Sequence, residues 1–135
     1  MKKSILILIL LCLAGTTLMA QTTTKSERKK NLVIKEWNTK VGTSKPVLDH
    51  ETTYDALGRK TEEVEYASYG QKKRSTYEYK ADSKKVYREV EYNDKNKVTR
   101  IKVYEYDDEG RKTKQYNYRP DGKLESTKTF EYSYK

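Results

Sequence analysis

Tyr54-Asp55-Ala56-Leu57-Gly58-Arg59 and Tyr106-Asp107-Asp108-Glu109-Gly110-Arg111 are one six-residue frame written twice. An aspartate suits the first place of a type I turn, and a glycine four places after the tyrosine suits a position of positive φ. A type I turn followed by a left-handed residue is a common hairpin loop with a bulge, so each frame predicts a β-hairpin corner. The frame recurs more loosely. Tyr54, Tyr66, Tyr79, Tyr92, Tyr106, Tyr118 and Tyr132 follow one another at steps of 12, 13, 13, 14, 12 and 14 residues. Four places after the first six stand Gly58, Gly70, Ser83, Asn96, Gly110 and Gly122, each followed by a long polar or basic side chain. Pro120 sits where its fixed φ favours a turn, and Asn96 tolerates the left-handed region.

Stretches rich in Tyr, Val and Thr lie between these corners and read as strands. Residues 32–39 and 47–53 read as two more. The predicted fold is therefore all-β: an antiparallel meander of about eight strands, thin and single-layered or curled. Val86 and Val90 are placed beside Tyr92, which predicts an extra residue in the glycine-free turn from Lys80 to Lys85. A second irregularity, a bulge, is predicted between Tyr66 and Tyr77, because a one-residue slip turns every side chain over.

Alternation along the strands predicts two chemically distinct faces. One gathers the tyrosines with Lys60, Lys73, Arg88, Arg100, Lys102, Lys112, Lys114 and Lys128. The other gathers threonines and glutamates such as Glu63, Glu65, Glu89 and Glu91. Leu32, Ile34, Trp37, Val47 and Leu48 are expected to form a small apolar cluster at one end.

The first twenty residues differ in kind. Lys2 and Lys3 precede an apolar run, Ser4 to Leu13, and small residues lead to Ala20, which is the layout of a secretory signal peptide. The run is too short for a spanning helix of about 20 residues. Cys12 follows Leu11 rather than a small residue, so it reads as part of the leader and not as a lipid anchor. Cleavage after Ala20 leaves 115 residues without cysteine, and loss of two lysines takes the net charge from +9 to +7. The expected organisation is a signal peptide over 1–20, a flexible leader over 21–30 and a repeat sheet over 31–135. The expected location is the periplasm, the outer cell envelope or the exterior.

The frame resembles the YD repeat of RHS-type proteins, whose hallmark is Tyr-Asp, two residues, Gly-Arg and often Leu. Residues 54–59 and 106–111 carry it in full, and the resemblance spans roughly Thr52 to Tyr134. The aliphatic place is held by Lys60 and Lys112 in these two frames, and by Leu124 in a later one. The resemblance implies continuous antiparallel sheets, in some members curled into a shell, and no catalytic residues.

Nothing else in the chain assembles a reaction centre. His50 is the only histidine, no phosphate loop or zinc spacing occurs, and the acid pairs Glu62-Glu63 and Asp107-Asp108-Glu109 read as solvated charge or turn chemistry. The chain is read as a non-enzyme with no metal and no cofactor. Its expected role is an exported scaffold or interaction module. The alternative is a binder of anionic glycans or acidic partners through Tyr66, Tyr79, Tyr92, Arg100, Lys102, Tyr104, Tyr106, Lys114, Tyr116 and Tyr118. The partner is expected to be a protein or an anionic envelope polysaccharide, not nucleic acid, and self-association through sheet edges is allowed.

Overall fold

Hairpin corners fall where the frames place them. In the structure, a computed structural model that describes residues 23–135, eight strands follow one another. They are β1 (Val33–Asn38), β2 (Val47–Tyr54), β3 (Lys60–Ala67), β4 (Gly70–Tyr79), β5 (Val86–Tyr92), β6 (Val98–Tyr106), β7 (Lys112–Tyr118) and β8 (Leu124–Thr129). Each pairs antiparallel with the next, giving one open sheet in the order β1 to β8. The expected leader peptide and Cys12 lie outside the described residues.

The turn chemistry accounts for the corners. In the β2–β3 turn the Asp55 carboxylate accepts from the backbone N–H of Leu57 and Arg59, both at 2.9 Å, and from Arg59 Nε at 2.8 Å. Gly58 N–H closes the turn on the Asp55 carbonyl at 3.0 Å. Asp107 repeats all of this with Glu109, Arg111 and Gly110. Asn93 supplies the same side-chain acceptor to Lys95 and Lys97, and Asn96 takes φ +57° where the Tyr54, Tyr106 and Tyr118 frames use glycine.

Both predicted irregularities are present. Six residues separate the facing pair Tyr79 and Val86, against five between Tyr54 and Lys60. Between β3 and β4, Tyr66 faces Gln71 while Glu65 faces Lys73, so Lys72 is the bulged residue. A bulge was not confined to these two hairpins, however. Thr61, Thr99, Thr113 and Glu125 each stand unpaired one place into their strand.

Two expectations at the N-terminal end need correction. Residues 23–30, expected as part of a flexible leader, form a short 3-10 turn at Glu27–Lys29 that docks on the β2–β3 corner. Ser26 Oγ donates to the Leu57 carbonyl at 2.7 Å, and the Lys29 ammonium lies 4.6 Å from the Tyr54 ring centre. The apolar cluster does not form: Trp37 is 58% exposed and Val47 54%, because β1 is an edge strand with no layer above it. The buried apolar side chains are instead Val64 and Val90, in the middle of the sheet.

The docked turn makes Gly58 unlike the other corner glycines. It has φ +72°, and a Cβ there would collide with the Ser26 carbonyl; Gly122, at φ +82°, faces open space. Gly122→Ala is expected to cost only the left-handed penalty, about 1 kcal/mol. Gly58→Ala is expected to cost about 2–3 kcal/mol by adding the displacement of Ser26. Urea midpoints of the two variants, compared at equal slope, check the difference.

Candidate functional site

Pairing register decides which side chains share a face, since facing residues in an antiparallel pair point the same way and neighbours alternate. Tracing the seven pairings puts Tyr79, Arg100, Lys102, Tyr104 and Tyr106 on one face. Tyr66, Tyr92, Lys114, Tyr116 and Tyr118 lie on the other. The ten residues singled out in the sequence are thus divided between the two sides of the sheet.

The expected separation of acids from bases is also corrected. Glu89 faces Lys102 and Glu91 faces Arg100, so the glutamates share a face with the basic side chains. The cause is the bulge that follows each turn: it inverts the alternation between Lys60 and Glu62, and equally between Lys112 and Lys114. Acids and bases meet because of it.

The face bearing Lys102 has a dense polar centre. Lys102 Nζ lies 2.7 Å from Glu91 and 3.3 Å from Glu89, with all three side chains less than a fifth exposed. Tyr104 donates its hydroxyl to Glu89 at 2.7 Å, and Tyr77 donates to Glu63 at 3.0 Å. Lys112 lies 3.8 Å from the Tyr104 ring centre, and Lys60 lies 4.5 Å from that of Tyr77. Of these, Glu63, Tyr77, Glu89, Glu91 and Lys102 join His50, Glu65 and Lys73 around the buried Ser75 and leave an open depression of about 310 Å3. A small side chain amid long ones produces the hollow.

A second arrangement runs along the rim where the even strands end. Tyr79, Tyr106 and Tyr132 donate their hydroxyls to the carbonyls of Lys60, Val86 and Lys112, at 2.7, 2.6 and 2.7 Å. Their rings lie under Arg59, Lys85 and Arg111, at 4.6, 6.0 and 5.2 Å to the ring centre. The basic residue closing one corner therefore covers the tyrosine closing the next. Arg59 and Arg111 are the residues that trail the corner glycine in their frames, whereas at the glycine-free corner the covering residue is Lys85, one place beyond the frame position. Spacing alone showed the recurring tyrosine and trailing residue but not their partners.

Proton affinities follow the pairing. The Lys60 hydrogen bond holds Glu63 below the usual carboxylate range, and Lys72 does the same for Glu65. Burial would raise Glu91, but the hydrogen bond and charge of Lys102 outweigh it. Burial is likewise outweighed at Asp55 by the Arg59 backbone and side chain, while the Arg111 backbone N–H lowers Asp107. Burial raises Tyr77 and Tyr104, reinforced by Glu63 and Glu89 respectively. Burial opposes but does not prevent a raised pKa at Lys102, where Glu91 and Glu89 prevail.

These directions fix a pH profile. The depressed carboxylates release protons more readily in the folded state, so their contribution is complete above the unfolded values. It is lost as pH falls from about 4.5 through the lower folded values. The raised tyrosines reverse the sign: their contribution is complete below pH about 10 and is lost as pH climbs beyond it. A melting temperature flat between roughly pH 5 and 10, falling on both sides, is expected from thermal scans.

Among the described residues, no group of three His, Cys, Asp or Glu is placed to hold a metal ion. Nor is any helix there long and apolar enough to cross a membrane.

What fold and surface together define is an open all-β hairpin meander with internally paired polar faces. No family model matches the chain, and no curated protein matches it. Among solved structures it is similar to a mutant of S. aureus TarM in complex with Fondaparinux, alpha-GlcNAc-glycerol and UDP. The identity is 17% and the TM-score 0.32, over 77% of this chain and 20% of that one. A likeness that low defines neither a shared fold nor a role.

Proposed function

We propose that this chain is a non-catalytic, exported repeat protein of the YD/RHS-like kind, acting in the cell envelope as a scaffold or interaction module. The observation that carries this reading is the engagement of the tyrosine and lysine side chains with one another. Lys102 is held between Glu89 and Glu91, and Tyr104 between Glu89 and Lys112. Groups committed to internal pairs stabilise a thin sheet and have little capacity left for a ligand. Carboxylates held charged by lysines are also poor general acids. Recognition then falls to the strand edges, where unpaired backbone groups accept an added strand.

The second reading, an anionic-glycan or acidic-protein binder, draws on Arg100. It faces Glu91, while Glu91 makes its close contacts with Lys102 and Lys73. Retention on acidic polysaccharide separates the two readings. Under the module reading, wild type and the Tyr104→Ala, Lys102→Ala variant pass through alike. Salt-sensitive retention lost in that variant, with its fold intact, favours the binder. Turnover of any substrate lost on a single Glu or Asp change would overturn both.

A further inference from the structure

We propose that the outer edge of β8 receives β1 of a second copy of this chain, so that copies join head to tail into one extended sheet. This rests on the reading of the protein as a module that works through its edges. Both edges have backbone groups to offer. Phe130 N–H donates inward to the Thr113 carbonyl at 2.9 Å, so alternation turns the backbone groups of Thr127 and Thr129 outward. Tyr54 N–H donates to the Leu32 carbonyl at 2.9 Å, so by the same rule Val33, Lys35 and Trp37 turn theirs outward on β1.

The two ends of the described chain leave these edges clear. The tail beyond β8 bends inward, where Tyr132 bonds the Lys112 carbonyl and Tyr134 accepts from Arg111. The segment before β1 bends inward onto Leu57. Strand direction also fits, because β8 and β1 run oppositely, as neighbours in the meander do.

Charge selects the register. With Thr129 opposite Lys35 of the next copy, outward groups meet outward groups and each face continues unbroken. Lys128 then stands opposite Glu36, and Thr127 covers Trp37. Lys128 makes no ion pair among the described residues, and Glu36, 62% exposed, has only a 3.8 Å contact with His50. Trp37 is 58% exposed before docking. The competing two-fold pairings are poorer. β1 against β1 about its centre opposes Lys35 to Lys35, and β8 against β8 sets Lys128 opposite Ser126 with no charge partner. Because the joined surfaces differ, assembly is heterologous and open-ended.

Sedimentation of the protein purified from cells expressing the full chain, from roughly 1 μM to 1 mM, tests this. The expected result is an average mass that grows with concentration and does not stop at a dimer. Thr127→Pro removes an outward N–H without touching the β7 pairing, and is expected to leave monomers. Lys128→Glu is expected to weaken association roughly tenfold, and Lys128→Glu with Glu36→Lys to restore it. A constant monomer mass, a closed dimer, or a charge swap that fails to restore association each overturns the assembly; the exposed charge variants decide if the proline variant does not fold. A monomer that still captures an envelope component removes self-assembly and leaves the module reading standing. A monomer that captures none removes both.

Discussion

Val90→Asp is expected to unfold the protein. Val90 is 3% exposed and faces Thr76 on one side and Ile101 on the other, at the middle of the sheet. An aspartate there would be ionised among Thr76, Ile101 and Tyr92, without a designed partner. Burying such a group costs at least about 4 kcal/mol after relaxation. A domain of this size has about 5–15 kcal/mol in total, and a sheet with two buried apolar side chains among the described residues belongs at the low end. Circular dichroism should show little β-sheet for Val90→Asp. Val47→Asp, at a half-exposed edge position, should lie within about 0.5 kcal/mol of wild type.

Lys102→Met should cost about 3 kcal/mol near neutral pH. The lysine stem packs equally well as methionine, so the loss isolates the charge. Without the ammonium, Glu89 and Glu91 are left with like charge on one face, each less than a fifth exposed. The folded pKa of Glu91, no longer held down by Lys102, then rises with its burial, and the folded state becomes the better proton acceptor. By linkage the variant gains stability as pH falls towards 5, where wild type has none to gain. Urea titrations of both proteins at pH 7 and pH 5 read the two slopes directly. A purely steric defect would leave the gap between them unchanged.

The legible part of this fold was the part written in local turn chemistry. Asp55, Asp107 and the residues four places after each tyrosine specify corners locally, so spacing located the strands from β3 onward, while β1 and β2 were read from their composition. Counting also exposed the long turn at 80–85 and the bulge at Lys72, because a change of parity is visible in the chain. The division of the faces was not legible. Thr61, Thr99 and Thr113 are bulged by the register their hairpins adopt, and their sequence looks like any other strand residue. Each silently inverts the alternation after its turn. That is why Lys102 and Glu89, expected on opposite sides, meet on one. The docking of Ser26 on Leu57 and Gly58 was hidden for a similar reason: it joins residues 31 apart, with no repeat to signal it.

The fold stands on sequential antiparallel pairing, stabilised by polar ladders across a thin sheet. Cross-strand nuclear Overhauser contacts in the centre of the sheet test that pairing most directly, read together with amide exchange. Contacts from Thr76 to Val90, Val90 to Ile101 and Ile101 to Tyr118 are expected, with their inward amides slow to exchange. Fast exchange throughout residues 60–118, or contacts at a register in which Glu89 no longer faces Lys102, would contradict it.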